Sequence, residues 1–178
     1  EILVEAHENI IPYLETRVYG ETLRIYWLDA DRCLRDRGRV IVTVGKKNFE
    51  NIRYNGSGQI ISDFTLVSEN LELFLLGSGS LDLNVDASRV QVTLSGSGNI
   101  DLSGATEVLN AEIQGSGNLD ALGLQTQKSF IKINGSGDVL TSCEDELHVD
   151  INGSGDVYYL GMPEIFARIN GSGKVKPY

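Results

Sequence analysis

Residues 113–119 read Ile-Gln-Gly-Ser-Gly-Asn-Leu, and the sequence contains seven variants of this stretch. Each variant is centred on a Gly-Ser-Gly triplet, and successive triplets start 18 to 21 residues apart. A turn that returns at nearly constant spacing is typical of one structural unit stacked on itself. The glycines of the seven triplets are Gly56, Gly58, Gly77, Gly79, Gly96, Gly98, Gly115, Gly117, Gly135, Gly137, Gly153, Gly155, Gly171 and Gly173.

Apolar residues keep a fixed phase around every triplet. They fall four and two positions before the first glycine, as Ala111 and Ile113 do, and two positions after the second glycine, as Leu119 does. This period of two places them on one face of an extended chain, and the phase is unchanged by the turn. Hairpins would make the strands antiparallel, and a propeller blade needs about twice this period. The pattern therefore favours a solenoid.

We predict an all-β fold, a single-stranded, right-handed parallel β-helix of about seven coils of 18–21 residues. Neighbouring coils are expected about 4.8 Å apart, because that is the separation of paired strands. The triplets are predicted to form the corners of the coils. Glycine tolerates both the unusual φ and the close backbone approach that a stacked corner requires.

The first 47 residues lack the repeat. They contain a mixed-charge loop at residues 29–39, and Pro12 permits a helical turn only near the start of that turn. Short β-type runs occur at Ile2–Val4, Arg17–Tyr19, Leu23–Trp27 and Val40–Val44. We predict one β-helix domain over residues 1–178, with residues 1–47 as an N-terminal β-rich cap and residues 48–178 as the Gly-Ser-Gly coils.

The charge of the chain is strongly negative and unevenly distributed. The net charge is −10, and residues 54–178 carry 16 acidic residues against six Lys or Arg. Such a region repels nucleic-acid phosphates and anionic membrane surfaces. The sequence also has no long apolar run. We therefore expect no nucleic-acid partner and no direct membrane insertion.

Three aspartates, Asp82, Asp101 and Asp120, occupy the same position in successive units, and alternation points them outward. Neighbouring carboxylates would repel each other by about 1 kcal/mol in bulk water. One interpretation is a solvated acidic face, and the other is a weak site for a cation or for sugar hydroxyls. The calcium-binding nonapeptide repeat does not fit, because Leu81 and Ile100 stand where that repeat needs aspartate.

Asparagine recurs beside the triplets. Asn99 and Asn118 follow successive triplets and are expected to stack as an amide ladder. Asn55, Asn134, Asn152 and Asn170 precede triplets and create glycosylation sequons, which we interpret as a by-product of asparagine at a corner.

Catalytic and metal-binding patterns are weak. His7 and His148 are the only histidines, and both are expected on the surface. No Cys/His spacing suits zinc, and Asp101 and Asp120 could mimic a hydrolase pair only if a pocket surrounded them. We predict no enzymatic activity, no metal and no cofactor. Cys33 and Cys143 are expected to be unpaired thiols, unless residues 1–47 fold back over the middle of the repeats.

The repeated Ile-x-Gly-Ser-Gly-[Asn/Asp]-aliphatic units resemble the head GIN domain family, the auto-transporter adhesin family of bacterial surface and periplasmic proteins. The stretch Val4–Leu14, followed by Leu23-Arg24-Ile25, is similar to the opening of that family. The resemblance covers nearly the whole chain. It implies a right-handed, pectin-lyase-like β-helix, export through a signal peptide often of lipoprotein type, and no known enzymatic activity. It supplies no family site residues.

Three functions are therefore considered. The first is a non-enzymatic, exported adhesin or interaction scaffold in the periplasm or on the cell surface, with a surface glycan or protein as its partner. The second is a carbohydrate-binding or carbohydrate-cleaving β-helix, and the third is a purely structural envelope module. We expect a monomer or a weak dimer, and Glu1 suggests that a signal peptide has been removed. Asp82, Asp101 and Asp120 are the candidate binding residues.

Overall fold

A computed structural model describes residues 2–28, 39–46 and 48–178. The chain divides into two compact units, Glu1–Lys46 and Lys47–Tyr178. Of the mixed-charge loop predicted at residues 29–39, residues 29–38 lie outside the described residues, and Cys33 is one of them. Cys143 is a buried, free thiol whose Sγ donates to the Glu146 carbonyl oxygen at 3.1 Å.

The first unit contains two antiparallel pairs of strands. Strand β1 (Ile2–Glu5) pairs with β4 (Ile41–Val44), and β2 (Leu14–Tyr19) pairs with β3 (Thr22–Trp27). These strands confirm the β-type runs predicted for this region. One 3-10 turn, Ile11–Tyr13, precedes β2 and has Pro12 in its first positions, where the missing N–H of proline costs nothing.

The second unit is a parallel β-solenoid, which confirms the predicted fold class. Every strand pairs in parallel with a segment that lies one repeat away in the sequence. The strands are β5 (Asn51–Gly56), β6 (Gln59–Ile61), β7 (Leu66–Gly77), β8 (Ser80–Gly96), β9 (Asn99–Gly115), β10 (Asn118–Gly135), β11 (Val139–Gly153), β12 (Val157–Leu160), β13 (Glu164–Gly171) and β14 (Val175–Pro177).

The glycines of the triplets lie in register at one corner of the solenoid. The first glycine of each triplet is paired with the first glycine of the next, from Gly56 to Gly171. From Gly77 onward these first glycines have φ between 106° and 147°. The second glycines are needed for space, because a Cβ atom on Gly98 would lie 2.5 Å from the Gly79 carbonyl oxygen.

The core fills the inside of the coils with the apolar columns that flank the triplets. Leu147, Val149 and Ile151 are at most 4% exposed, and the equivalent residues of the three preceding coils, where apolar, are buried to a similar degree. In β13 the equivalent residues Ile165 and Ile169 are each 39% exposed. The described residues add no coil beyond β13, and each coil buries its inner face only against a neighbour.

Candidate binding surface

The three predicted aspartates lie in one column. Asp82 in β8 is paired with Asp101 in β9, and Asp101 is paired with Asp120 in β10. The next positions of the same column are Ile61 and Leu140, so the acidic column is three coils long. Asp82 and Asp101 are exposed, and Asp120 is half-buried. The column thus forms part of an outer wall of the solenoid.

Asp101, in the middle of this column, has a raised pKa. Partial burial is the main cause, and the charges of Asp120 and Asp82 add to it. Asp120 Oδ1 accepts a hydrogen bond from the Leu122 backbone N–H at 3.1 Å. Among residues 2–28, 39–46 and 48–178, no group of three or more His, Cys, Asp or Glu side chains is arranged to hold a metal ion. Binding of a cation or sugar by the column stays a prediction.

A second polar column follows the corner and ties four coils together. Asn118 Oδ1 accepts the Asp138 backbone N–H at 2.9 Å, and Asp138 Oδ1 accepts the Asp156 N–H at 2.7 Å. Asp156 Oδ1 in turn accepts the Lys174 N–H at 2.8 Å. These side-chain oxygens accept hydrogen bonds from backbone N–H groups of the next coil. A strand carbonyl oxygen would otherwise be the acceptor at these positions. Asn118 thus bonds the coil that follows it.

An amide ladder lies immediately before the corner. Asn152 Nδ2 donates to Asn134 Oδ1 at 3.3 Å, and Asn170 Nδ2 donates to Asn152 Oδ1 at 3.0 Å. Stacked amides of this kind stabilise parallel strands in register. Because their side chains form hydrogen bonds with one another, these asparagines are best interpreted as corner residues.

A groove crosses five coils on the outer face of the solenoid, with a volume of about 840 Å³. Its centre is an aromatic column five positions before the triplets. The Phe130 and His148 rings stack with centroids 4.7 Å apart, and the His148 and Phe166 rings stack with centroids 4.6 Å apart. Gln91 and Asn110 continue this column in the two preceding coils. We call this surface the stacked groove.

The charged column beside the aromatic rings alternates in sign from coil to coil. Its members are Glu112, Lys132, Asp150 and Arg168, in that order along the axis, and the uncharged Thr93 precedes them in the same register. Lys132 Nζ donates to Glu112 Oε1 at 3.0 Å, and this contact lowers the pKa of Glu112. Asp150 Oδ1 accepts from Asn152 Nδ2 at 3.2 Å, which links the charged column to the amide ladder.

An ion pair also flanks the aromatic rings on their other side. Lys128 Nζ lies 2.5 Å from Glu146 Oε1, and His148 Nε2 lies 3.1 Å from Glu146 Oε2. The hydrogen bond from Lys128 is the main reason that the pKa of Glu146 is lowered, and the bond from His148 adds to it. Charged side chains therefore lie on both sides of the aromatic column.

The sequence predicts His148 on the outer face, and in the structure it faces outward and is half-buried. The stacked groove was not predicted. Phe130, His148 and Phe166 stand at the same distance before three successive triplets. Aligning the outward positions on the triplets would have shown them as one column. Asp82, Asp101 and Asp120 are not among the residues that line the groove.

The fold and these surfaces define a β-solenoid whose outer faces carry columns of like-placed side chains. A family model described as putative auto-transporter adhesin, head GIN domain, matches residues 1–163. The chain belongs to this family, which confirms the resemblance noted in its sequence. No match was found among curated proteins.

Solved structures share the fold over nearly the whole chain. A putative adhesin from Bacteroides fragilis is 21% identical with a TM-score of 0.92, covering 99% of this chain and 82% of that one. A putative lipid binding protein from Parabacteroides distasonis is 25% identical with a TM-score of 0.80, covering 99% and 83%. A putative adhesin from the same organism is 24% identical with a TM-score of 0.79, covering 99% and 83%.

Within the described part of the chain, no helix has the length and apolar character that crossing a membrane requires.

Proposed function

We propose that the chain is a non-enzymatic interaction module, exported to the periplasm or the bacterial cell surface, and that the stacked groove is its binding surface. The observation that carries this proposal is the register of β9 to β11 and β13, which brings aromatic and charged side chains from four coils onto one strip. Aromatic residues and arginine are enriched where proteins bind partners. Membership of an adhesin family supports the same role and supports export.

The state of the carboxyl groups in the groove supports a binding role over catalysis. A glycosidase needs one carboxylic acid with a raised pKa facing a second carboxylate across the scissile bond. Glu112 lines the groove and has a lowered pKa, mainly because it accepts a hydrogen bond from Lys132. Glu146 lies beside the groove, and its pKa is lowered mainly by the hydrogen bond from Lys128. Asp101 has a raised pKa, but it lies on the outer wall and does not line the groove.

The groove is formed by paired strands, which suits a binding module. Strands β9 and β10 are each hydrogen-bonded to a neighbour on both sides, so the surface they carry is held in place before any partner arrives. A preorganised surface binds with a smaller loss of conformational entropy than a flexible one. We propose that the module acts as a monomer or a weak dimer.

A binding screen that includes both glycans and extracellular proteins tests this function. The chain is compared with Phe130→Ala and Phe166→Ala, which remove groove rings, and with Phe74→Ala as a matched control. Phe74 is an outward-facing aromatic residue whose ring lies under the Arg53 guanidinium at 4.2 Å, outside the groove. We expect at least one partner whose binding falls in the groove variants and persists in the control.

Two outcomes would contradict the proposal. Release of reducing sugar or of any other product from a bound partner would show an enzyme. Partners that bind Phe130→Ala and Phe166→Ala as well as they bind the parent chain would show that the groove is not the binding surface.

A further inference from the structure

The stacked groove presents side chains at the same outward positions in every coil along the axis of the solenoid. It extends over five coils, from Gln91 to Phe166, which is about 19 Å at the separation of paired strands. A ligand that contacts successive coils in the same way must itself repeat at about 4.8 Å. The groove therefore suits a linear polymer that lies along the axis.

An extended peptide does not meet this requirement. Its side chains return to the same face about every 6.6–6.8 Å, so they fall out of step with the coils. A peptide cannot join β9 or β10 as an added strand either, because the backbone groups of both strands are already paired on both sides. Neither side-chain contacts along the axis nor addition of a strand, the two modes open to an extended peptide, matches the spacing of the coils.

The alternating charges exclude a polymer with charge of one sign. Along the column Glu112, Lys132, Asp150, Arg168, a polyanion or a polycation would meet repulsion at every second coil. The net charge of −10 further disfavours a polyanion. A hydroxyl group both donates and accepts, so it can bond a carboxylate in one coil and an ammonium or guanidinium group in the next.

The aromatic column supplies the apolar part of the contact. Because His148 stacks between Phe130 and Phe166, the facing surfaces of the three rings are covered and the column presents ring edges, which carry the positive part of the ring quadrupole. Phe130 is 38% exposed and Phe166 is 45% exposed, so both rings are open to a ligand. Ring edges of this kind can contact the C–H groups of a sugar ring and attract its oxygen atoms.

We propose that the stacked groove binds a neutral polysaccharide chain lying along the axis, with about one sugar ring for each coil. A pyranose ring is similar in length to the separation of neighbouring coils, which is about 4.8 Å, so successive linked rings can lie beside successive coils. The charged column then bonds the hydroxyl groups, and the aromatic column packs against the ring carbons. This inference rests on the proposed function, because it names the ligand class of the same groove.

Affinity electrophoresis tests the inference with defined probes. The chain is run in native gels that contain hydroxyethyl cellulose, xyloglucan or galactomannan, which are neutral, or polygalacturonate, which is a polyanion. We expect at least one neutral polysaccharide to retard the chain, and polygalacturonate to leave it unretarded. In Phe130→Ala and Phe166→Ala the affinity should fall about tenfold, the loss typical of a central anchor, and Phe74→Ala should behave as the parent chain.

A further variant separates loss of the site from loss of the fold. Asp150→Asn keeps the size of the side chain and removes one charge of the alternating column, so it should weaken binding while thermal denaturation stays cooperative. Retardation by polygalacturonate alone, or neutral binding that is unchanged in all three groove variants, would overturn the inference. If no neutral polysaccharide retards the chain but a protein partner binds through the groove, the inferred ligand class is wrong and the proposed function stands.

Discussion

Gly135 lies directly opposite Gly115 in the neighbouring coil, and a Cβ atom on Gly135 would lie 2.0 Å from the Gly115 carbonyl oxygen. That carbonyl also accepts the Ser136 backbone N–H at 2.8 Å, so the two corners are held in close contact. The same arrangement is repeated along the stack. The Gly-Ser-Gly triplet therefore recurs because each corner must leave room for the next.

The first prediction concerns this corner. Gly135→Ala forces a clash with the backbone and places a side chain at a φ of 145°. We therefore expect the free energy of unfolding to fall by about 4 kcal/mol or more. Gly20→Ala is the control, because Gly20 has a φ of 59° but nothing within 4 Å of its Cβ position. Its cost should be about 1–2 kcal/mol, from backbone strain alone. Thermal denaturation measures both, and equal losses would contradict the role assigned to close approach.

Much of the fold could be predicted because the corner imposes a strict requirement on the sequence. Only glycine fits there, so the triplets mark the repeat, and the flanking apolar residues such as Ile113 and Leu119 follow by alternation. Coil length is less constrained on the side away from the corner. The pairing of β10 with β9 shifts between Asp120 and Gly123, so columns there cannot be aligned by counting from the triplet.

The candidate binding surface was harder to predict, since outward positions have no packing requirement. Asp82, Asp101 and Asp120 were noticed because they share a residue type, and the structure places them in one column. The column of Phe130 and His148 mixes residue types, so its members look unrelated until they are aligned in register. The partner of a side-chain acceptor, such as the Asp138 backbone N–H that donates to Asn118 Oδ1, has no signature in the sequence at all.

The second prediction concerns the charge of Asp101. Its pKa is raised by partial burial and by Asp120 and Asp82, so the folded state favours the protonated form. The stability that this preference contributes is present below the ordinary pKa of aspartate, about 3.9, and is lost as the pH rises through the higher pKa of the folded state. At pH 7 Asp101→Asn should therefore raise the stability, by about 0.5 kcal/mol after allowance for solvent screening.

Thermal denaturation at pH 7 and at pH 3.5 checks this prediction. The gain at pH 7 corresponds to about 1–2 °C, and it should shrink at pH 3.5 and at high salt. Asp86→Asn is the control, because Asp86 is an exposed aspartate outside the column. A decrease in stability of Asp101→Asn at pH 7 would show that the carboxylate is held by favourable contacts.

The third prediction concerns calcium. The three aspartates follow one another along the axis, and the described residues contain no group arranged to hold a metal. Calcium requires six to eight oxygen ligands around one point, which a straight column of side chains does not supply. Calorimetric titration should therefore give no saturable heat. Saturable heat that disappears in Asp101→Ala would instead identify a cation site on the column.

The fourth prediction concerns Asp156, which joins the last two coils. Its Oδ1 accepts the Lys174 N–H at 2.8 Å, and its Oδ2 accepts from the Tyr158 hydroxyl at 3.2 Å and from Lys176 Nζ at 3.4 Å. Burial alone would raise the pKa of Asp156, but these hydrogen bonds together lower it. Asp156→Ala leaves the Lys174 N–H without its acceptor and should cost about 1–2 kcal/mol, or about 4 °C in Tm.

The matched variant and the pH dependence make this prediction specific. Asp156→Asn keeps an oxygen at the Oδ1 position, so it should lose less stability than Asp156→Ala. Because the pKa of Asp156 is lowered, its contribution is complete above the ordinary pKa of aspartate and is lost as the pH falls through the lower pKa of the folded state. Hydrogen exchange of the Lys174 amide measures directly how well its hydrogen bond to Asp156 Oδ1 protects it. If protection of that amide is the same in Asp156→Ala as in the parent chain, the second polar column does not hold the coils together.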